Sequence, residues 1–430
     1  MAMKPTHRSA FVLLLPLAVL AALAVATSPC AAQDSLEECT AGVASGKATT
    51  DGRPLLWKTR DASALHNEVI WNTSGKYRFV SVITAGSPES SWMGVNEKGF
   101  AIINTQSSDL TPAKSGPGNG ELMAEALGKC ATVEEFEALL KATNAPGRRT
   151  ATNFGVIDAT GAAAFFETAG HRYWRYDAAN TEKGYILRTN FAIHGARDSL
   201  HERPYSMDRY LETDQLMLGF YRTDGIDFKE IVKGQVRSFG NAKGNLVPLP
   251  ITGSYDGHPA GYYPNSSSIN RNSSVSFAVI QGVLSGEDPR LSTMWTILGQ
   301  PSSGILVPYW PVGPTPAAAD GPKTAPLDDV ANEIRSELYA EPGSKAVAGN
   351  ATAQRPLFIN TRDLRDENGD GIWKITLPVE DSIVAESQRR VEGWRASGPD
   401  TTAMLATERT MAARALAALQ KAYAYLKGGR

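Results

Sequence analysis

A single cysteine, Cys39, stands where a trimmed chain would start. It lies in Glu38-Cys39-Thr40-Ala41-Gly42, just after a segment with the composition of a removable leader. An N-terminal cysteine carries its own base. Its α-amino group titrates near about pH 8 and takes the thiol proton directly or through one water. The residues that follow predict two short strands joined by a polar turn around Lys47, Asp51 and Gly52. That hairpin returns Asp61, in Trp57-Lys58-Thr59-Arg60-Asp61, to the side of Cys39. A carboxylate there fixes and charge-balances the α-amino group.

The leader has three parts. Lys4, His7 and Arg8 make it basic at the start, Ala10 to Ala26 is an apolar run broken by Pro16, and Cys30-Ala31-Ala32 offers small residues for cleavage before Gln33. Residues 1–32 are therefore expected to be a secretory signal peptide, with an uncleaved membrane anchor the weaker alternative. The expected product is exported, periplasmic or secreted, and off the membrane once the signal is gone. Residues 33–38 then form a short pro-segment whose removal frees Cys39. The chain has 43 basic and 45 acidic residues, for a net charge of −2. Neither a nucleic-acid partner nor a polybasic anchor fits that balance. Of three cysteines, Cys30 leaves with the signal, and Cys130 sits in a helical pattern that suits a buried thiol. Cys39 is expected to be free.

Strand signals recur along the next stretch. Arg78 to Ile83 is rich in β-formers. Gly94 to Asn104 reads as strand, Asn-Glu-Lys-Gly turn, strand. Residues 153–168 form a hairpin around Asp158-Ala159-Thr160-Gly161, Tyr173 to Tyr176 extends the sheet, and Tyr185 to Phe191 ends on the polar pair Thr189-Asn190. Between them, Ser107 to Asn119 is loop, Gly120 to Lys129 is helix, and Thr132 opens a second helix. Arg203 to Leu218 is helical; Arg203 and Arg209 there are read as structural or solvated sooner than pocket-facing. Later strands are expected after Ser266, over Met294 to Gly299, and over Gly304 to Pro311. A Pro-rich break at 311–326 divides residues 39–311 from a helical extension, 312–430. That tail suits core padding and a homo-oligomer contact equally.

The Cys-Thr start, the Asp51-Gly52 turn and the Lys58/Asp61 pair resemble the opening of an N-terminal-nucleophile (Ntn) hydrolase. The branch is that of choloylglycine hydrolases, penicillin V acylases and acyl-CoA:isopenicillin N acyltransferases. The resemblance spans roughly Cys39 to Pro311 and implies an α+β fold, a four-layer αββα sandwich of mostly antiparallel sheets. It implies Cys39 as nucleophile and Asp61 at the α-amine. Asn104 then lines the oxyanion hole through its N–H, the Asn190 amide is a second donor, and Arg271 lowers the thiol pKa. Lys58 and Arg60 are the expected substrate-binding cations. Glu38 departs from the small residue expected before the scissile bond, so both self-cleavage and trimming by another protease stay open.

The expected activity is cleavage of a linear amide in a small N-acyl substrate, with transfer of the acyl group to an amine as an added outcome. A dipeptidase with the same nucleophile, or a non-catalytic binding protein on the same fold, are the alternatives. Neither a cofactor nor a metal is expected. The six histidines show no metal-ligand spacing. Asp366 to Gly371 matches only half of a calcium loop, since Leu377 stands where the bidentate Glu belongs. It reads as a hairpin turn into a strand at Ile372 to Ile375.

Overall fold

The computed structural model describes Met1 and residues 38–194, 206–240, 248–321, 323–340 and 358–428. The expected signal peptide beyond Met1, pro-segment residues 33–37 and Arg203 lie outside the described residues.

Fifteen strands are described, numbered in chain order: β1 Glu38–Ala44, β2 Leu55–Asp61, β3 Asn67–Asn72, β4 Phe79–Thr84, β5 Met93–Asn96, β6 Ala101–Gln106, β7 Thr152–Ile157, β8 Ala163–Thr168, β9 Tyr173–Asp177, β10 Tyr185–Arg188, β11 Tyr262–Pro264, β12 Ser274–Gln281, β13 Thr293–Leu298, β14 Val307–Tyr309 and β15 Phe358–Asn360. Strands β3 to β9 form a seven-stranded antiparallel meander. A six-stranded sheet runs β10-β1-β2-β12-β13-β14, so the two strands of the N-terminal hairpin lie at its centre. The short pair β11 and β15 stands apart.

Side-chain alternation explains the layers, because successive residues of a strand face opposite ways. Ala41, Val43 and Leu56 of the six-stranded sheet join Val80, Val82, Met93, Val95 and Ile103 of the other in one buried cluster. On the outer face of the six-stranded sheet, Trp57, Leu187, Phe277 and Val279 pack on Met217 of helix Met207–Thr223 and on Phe228 and Ile231. On the far side, Ile102, Phe154 and Phe166 pack on Leu122 and Met123 of helix Asn119–Lys129 and on Phe136 and Leu140 of helix Val133–Asn144. Helix, sheet, sheet and helix thus follow one another, as the αββα expectation requires. The central hairpin admits little variation. A Cβ on Gly42 would lie 2.1 Å from the Trp57 ring, the side chain of its register partner.

Turn chemistry places the ends of these strands. Gly99 and Gly161 take φ of 77° and 92°, which closes the β5–β6 and β7–β8 hairpins where Asn96-Glu97-Lys98-Gly99 and Asp158-Ala159-Thr160-Gly161 predict turns. Thr132 caps the second helix by accepting from the Glu135 N–H at 3.2 Å.

The strand expected at Ile372 to Ile375 is not one. Those residues begin helix Ile372–Ser397, which runs through Pro378. Ile372, Thr376, Glu380, Ile383 and Ser387 are its buried face, a helical spacing that the proline obscures in the sequence. Helices Pro326–Leu338 and Thr401–Gly428 complete the tail. Leu327, Ile334, Ile383, Met411 and Leu419 belong to the same buried cluster as Ala41 and Val80.

Candidate active site

The hairpin register pairs Glu38 with Asp61 and Cys39 with Arg60, and on the other edge of β2 Ser274 lies opposite Asp61 beside a β-bulge. Cys39 is fully buried and is not in a disulfide. Its N–H donates to Asn190 Oδ1 at 2.9 Å. Arg209 closes over the same residue, with Nη1 donating to the Cys39 carbonyl at 2.6 Å and to Thr40 Oγ1 at 2.9 Å and Nη2 donating to Asn190 Oδ1 at 2.7 Å. The Asn190 amide nitrogen donates to the Gln106 carbonyl at 2.9 Å. These contacts set the amide's orientation. Its oxygen is the acceptor for the Cys39 N–H.

Asp61 is 1 % exposed. Ser274 Oγ donates to its Oδ1 at 2.7 Å, and Arg271 Nη1 lies 4.0 Å from Oδ2. Burial pushes the Asp61 carboxyl up to about 6, against the opposing pull of Arg271, Arg209 and the Ser274 hydrogen bond. Arg271 Nη1 makes a closer ion pair, 2.5 Å to Glu38 Oε2. Burial also pushes the Arg209 guanidinium down, with Arg271 repelling it. One turn further along its helix, Glu212 is raised to about 7 by burial and accepts from Ser238 Oγ.

Lys58 and Arg60 are buried at 0 % and 2 % exposure, in the layer between the sheets. Lys58 Nζ donates to Asn104 Oδ1 at 2.7 Å. The Arg60 guanidinium lies 4.6 Å from the Trp92 ring centroid and donates to Asn67 Oδ1 at 2.6 Å. Asn104 Nδ2 donates to Thr152 Oγ1 at 3.3 Å. Cys39, Asp61, Asn190 and Arg271 thus converge on one end of β1. Asn104 is tied in through Lys58, which sits two residues along β2 from the partner of Cys39.

Arg209 and Ser274 were not singled out by sequence as site residues. Arg209 gives the signal of any helical arginine, and Ser274 is one of several serines in 266–276. Cys130, by contrast, is buried in the outer core as expected, and burial pushes its thiol up to about 12. Among the described residues, one cluster offers donor atoms for a cation: His66, Asp328 and Asp329, within 4.8 Å of one another. His66 Nδ1 and Asn332 Nδ2 already hydrogen-bond Asp328 Oδ2, at 3.2 and 2.9 Å. The cluster therefore pins helix Pro326–Leu338.

Residues 48–238 match the model of the acyl-coenzyme A:6-aminopenicillanic acid acyl-transferase family. That span takes in Asp61, Asn104, Asn190 and Arg209, while Cys39 precedes it and Arg271 follows it. Among solved structures, a penicillin V acylase from Agrobacterium tumefaciens is 15 % identical, with 63 % of this chain and 85 % of that chain covered at a TM-score of 0.39. A mutant conjugated bile acid hydrolase from Clostridium perfringens is 12 % identical, with 60 % and 89 % covered at a TM-score of 0.38. No curated protein matches the chain.

Proposed function

We propose that this chain is an exported cysteine amidohydrolase of the Ntn type, which cleaves a linear amide through an acyl-thioester on Cys39 after the residues up to Glu38 are removed. The hold on Cys39 carries the reading. Asn190 Oδ1 accepts from its nitrogen at 2.9 Å while Arg209 grips its carbonyl at 2.6 Å. A residue whose backbone nitrogen must become a base needs that atom fixed, and a buried asparagine and arginine fix it.

Processing and turnover share one chemistry. The Cys39 thiol attacks the Glu38 carbonyl. The C–N bond to Cys39 breaks, a thioester forms, the thiol proton goes to the new α-amine, and water releases the pro-segment and restores the thiol. In turnover the α-amine takes the thiol proton. The thiolate attacks the substrate carbonyl, the amine leaves with the proton, and water resolves the thioester. A second amine in place of water makes the same enzyme an acyltransferase. Asn190 holds the α-amine through Oδ1, Asp61 balances its charge, and the Asn104 N–H is the oxyanion donor in this scheme. Loss of one such donor costs about 10²–10³ in rate.

Intact mass and N-terminal sequence of the exported protein, for wild type and Cys39→Ala, test the reading. Wild type starting at Cys39 with the variant starting near Gln33 supports self-processing. If both start at position 39, another protease trims the chain and the nucleophile stands. If both start near Gln33, the α-amine base does not exist and the amidohydrolase reading fails.

A further inference from the structure

In the uncleaved chain the Glu38 carboxylate sits on the Arg271 guanidinium, Oε2 to Nη1 2.5 Å, with both side chains largely buried at 22 % and 14 % exposure. The strand register holds Glu38 opposite Asp61, so the pair lies beside the nucleophile and not at a distant surface. From this we propose that Arg271 is the acyl-group selector of the mature enzyme. Its preferred substrates carry a carboxylate three carbons beyond the scissile carbonyl, as glutaryl and α-glutamyl amides do.

The inference rests on the amidohydrolase reading above and deepens it. In self-processing the first acyl group placed on Cys39 Sγ is the one ending in Glu38. Between its carbonyl and its carboxylate lie Cα, Cβ and Cγ. The thioester of processing and the thioester of turnover share one sulfur, so a substrate acyl group follows the path that Glu38 takes. Release of the pro-segment removes the carboxylate at 2.5 Å. The other carboxylate recorded at Arg271 is Asp61, at 4.0 Å, beyond hydrogen-bond reach. Arg271 Nε is itself buried without a hydrogen-bond partner. A part-buried guanidinium whose nearest carboxylate has gone favours an anion in its place, and the fork of donors suits a carboxylate. A neutral acyl chain of equal length leaves that cation with Asp61 alone, at 4.0 Å.

The test compares glutaryl- and pentanoyl-p-nitroanilide as substrates of the mature enzyme, for wild type and Arg271→Met. Wild type is expected to show kcat/KM about 10²-fold higher for the glutaryl compound, the scale of a charge-assisted contact in a part-buried site. In Arg271→Met the ratio is expected to fall toward unity. A ratio, unlike a rate, does not move if the substitution merely slows the thiol. Equal or better turnover of the pentanoyl compound by wild type overturns the selector and leaves the amidohydrolase reading intact. No turnover of either compound, or of a wider panel of N-acyl amides, removes that reading and the selector with it. Should Arg271→Met not fold, wild type decides alone. Free glutarate must then inhibit competitively at least about tenfold more tightly than pentanoate, and equal inhibition rejects the proposal.

Discussion

Asp61 illustrates how one buried carboxyl couples this site to pH. Its folded pKa of about 6 stands above the 3.8 of an ordinary aspartate, chiefly through burial. A raised acid binds its proton more tightly in the folded state. Its contribution to stability is therefore complete below about pH 4 and is lost as pH rises through about 6. Asp61→Asn removes that titration. Measured on the uncleaved Cys39→Ala background, so that Glu38 stays in place, the variant is expected to gain about 2 kcal/mol over its parent between pH 4 and pH 8. Urea unfolding at the two pH values reads this directly, and a difference independent of pH contradicts it. The same residue scale explains Asn190. An amide turned so that Oδ1 faces Cys39 is an acceptor for its N–H. Arg209 and the Gln106 carbonyl enforce that choice from opposite ends.

Buried polar links tie distant elements of the fold together. Helix Ile372–Ser397 is joined to the segment before β11 by Arg237 and Glu380, paired at 2.7 and 2.8 Å and buried at 4 % and 2 % exposure. Glu380 also accepts from the Leu306 N–H at 2.8 Å, next to β14. Glu380→Ala leaves a buried guanidinium and an amide without their partner. It should cost about 3–5 kcal/mol of unfolding free energy, the usual price of breaking one side of a buried pair. Denaturant melts check this, and a loss under about 1 kcal/mol excludes the role. Pro378, two positions earlier, explains why the first turns of this helix were hard to read. The ring removes one backbone hydrogen bond, and the buried side chains on either side make up for it.

At the scale of the whole molecule, the tail is part of the core. Leu327, Ile334, Ile383, Met411 and Leu419 share a buried cluster with strands of both sheets. A chain ended after Pro311 exposes the apolar surface those residues cover, and hydrophobic burial is the main favourable term in folding. Such a fragment is expected to aggregate on expression and to show no cooperative thermal transition by circular dichroism. A soluble, cooperatively melting 39–311 fragment overturns the expectation. The Pro-rich composition break at 311–326 marks a crossing between parts of one core, since Ala319 and Ala325 within it are themselves buried in that cluster.

Local features of this chain were legible because their causes are local. The Cys39–Asp61 hairpin follows from two β-forming runs around a polar turn. The Asn96 and Asp158 turns follow from glycine three residues on. A Cys39 outside any disulfide and a core Cys130 follow from composition and helical spacing. What sequence could not supply is which distant residues meet. Arg209 reaches the Cys39 carbonyl across 170 positions and Asn190 reaches its N–H across 151. Ser274 reaches Asp61 across 213. Arg209 is an ordinary helical arginine and Ser274 an ordinary serine at a strand start until the sheets stack. Strand order, with β12 beside β2 and β10 beside β1, is a tertiary outcome of packing two apolar faces together. That order gives Cys39 its hold, Asp61 its buried setting and Glu38 its arginine.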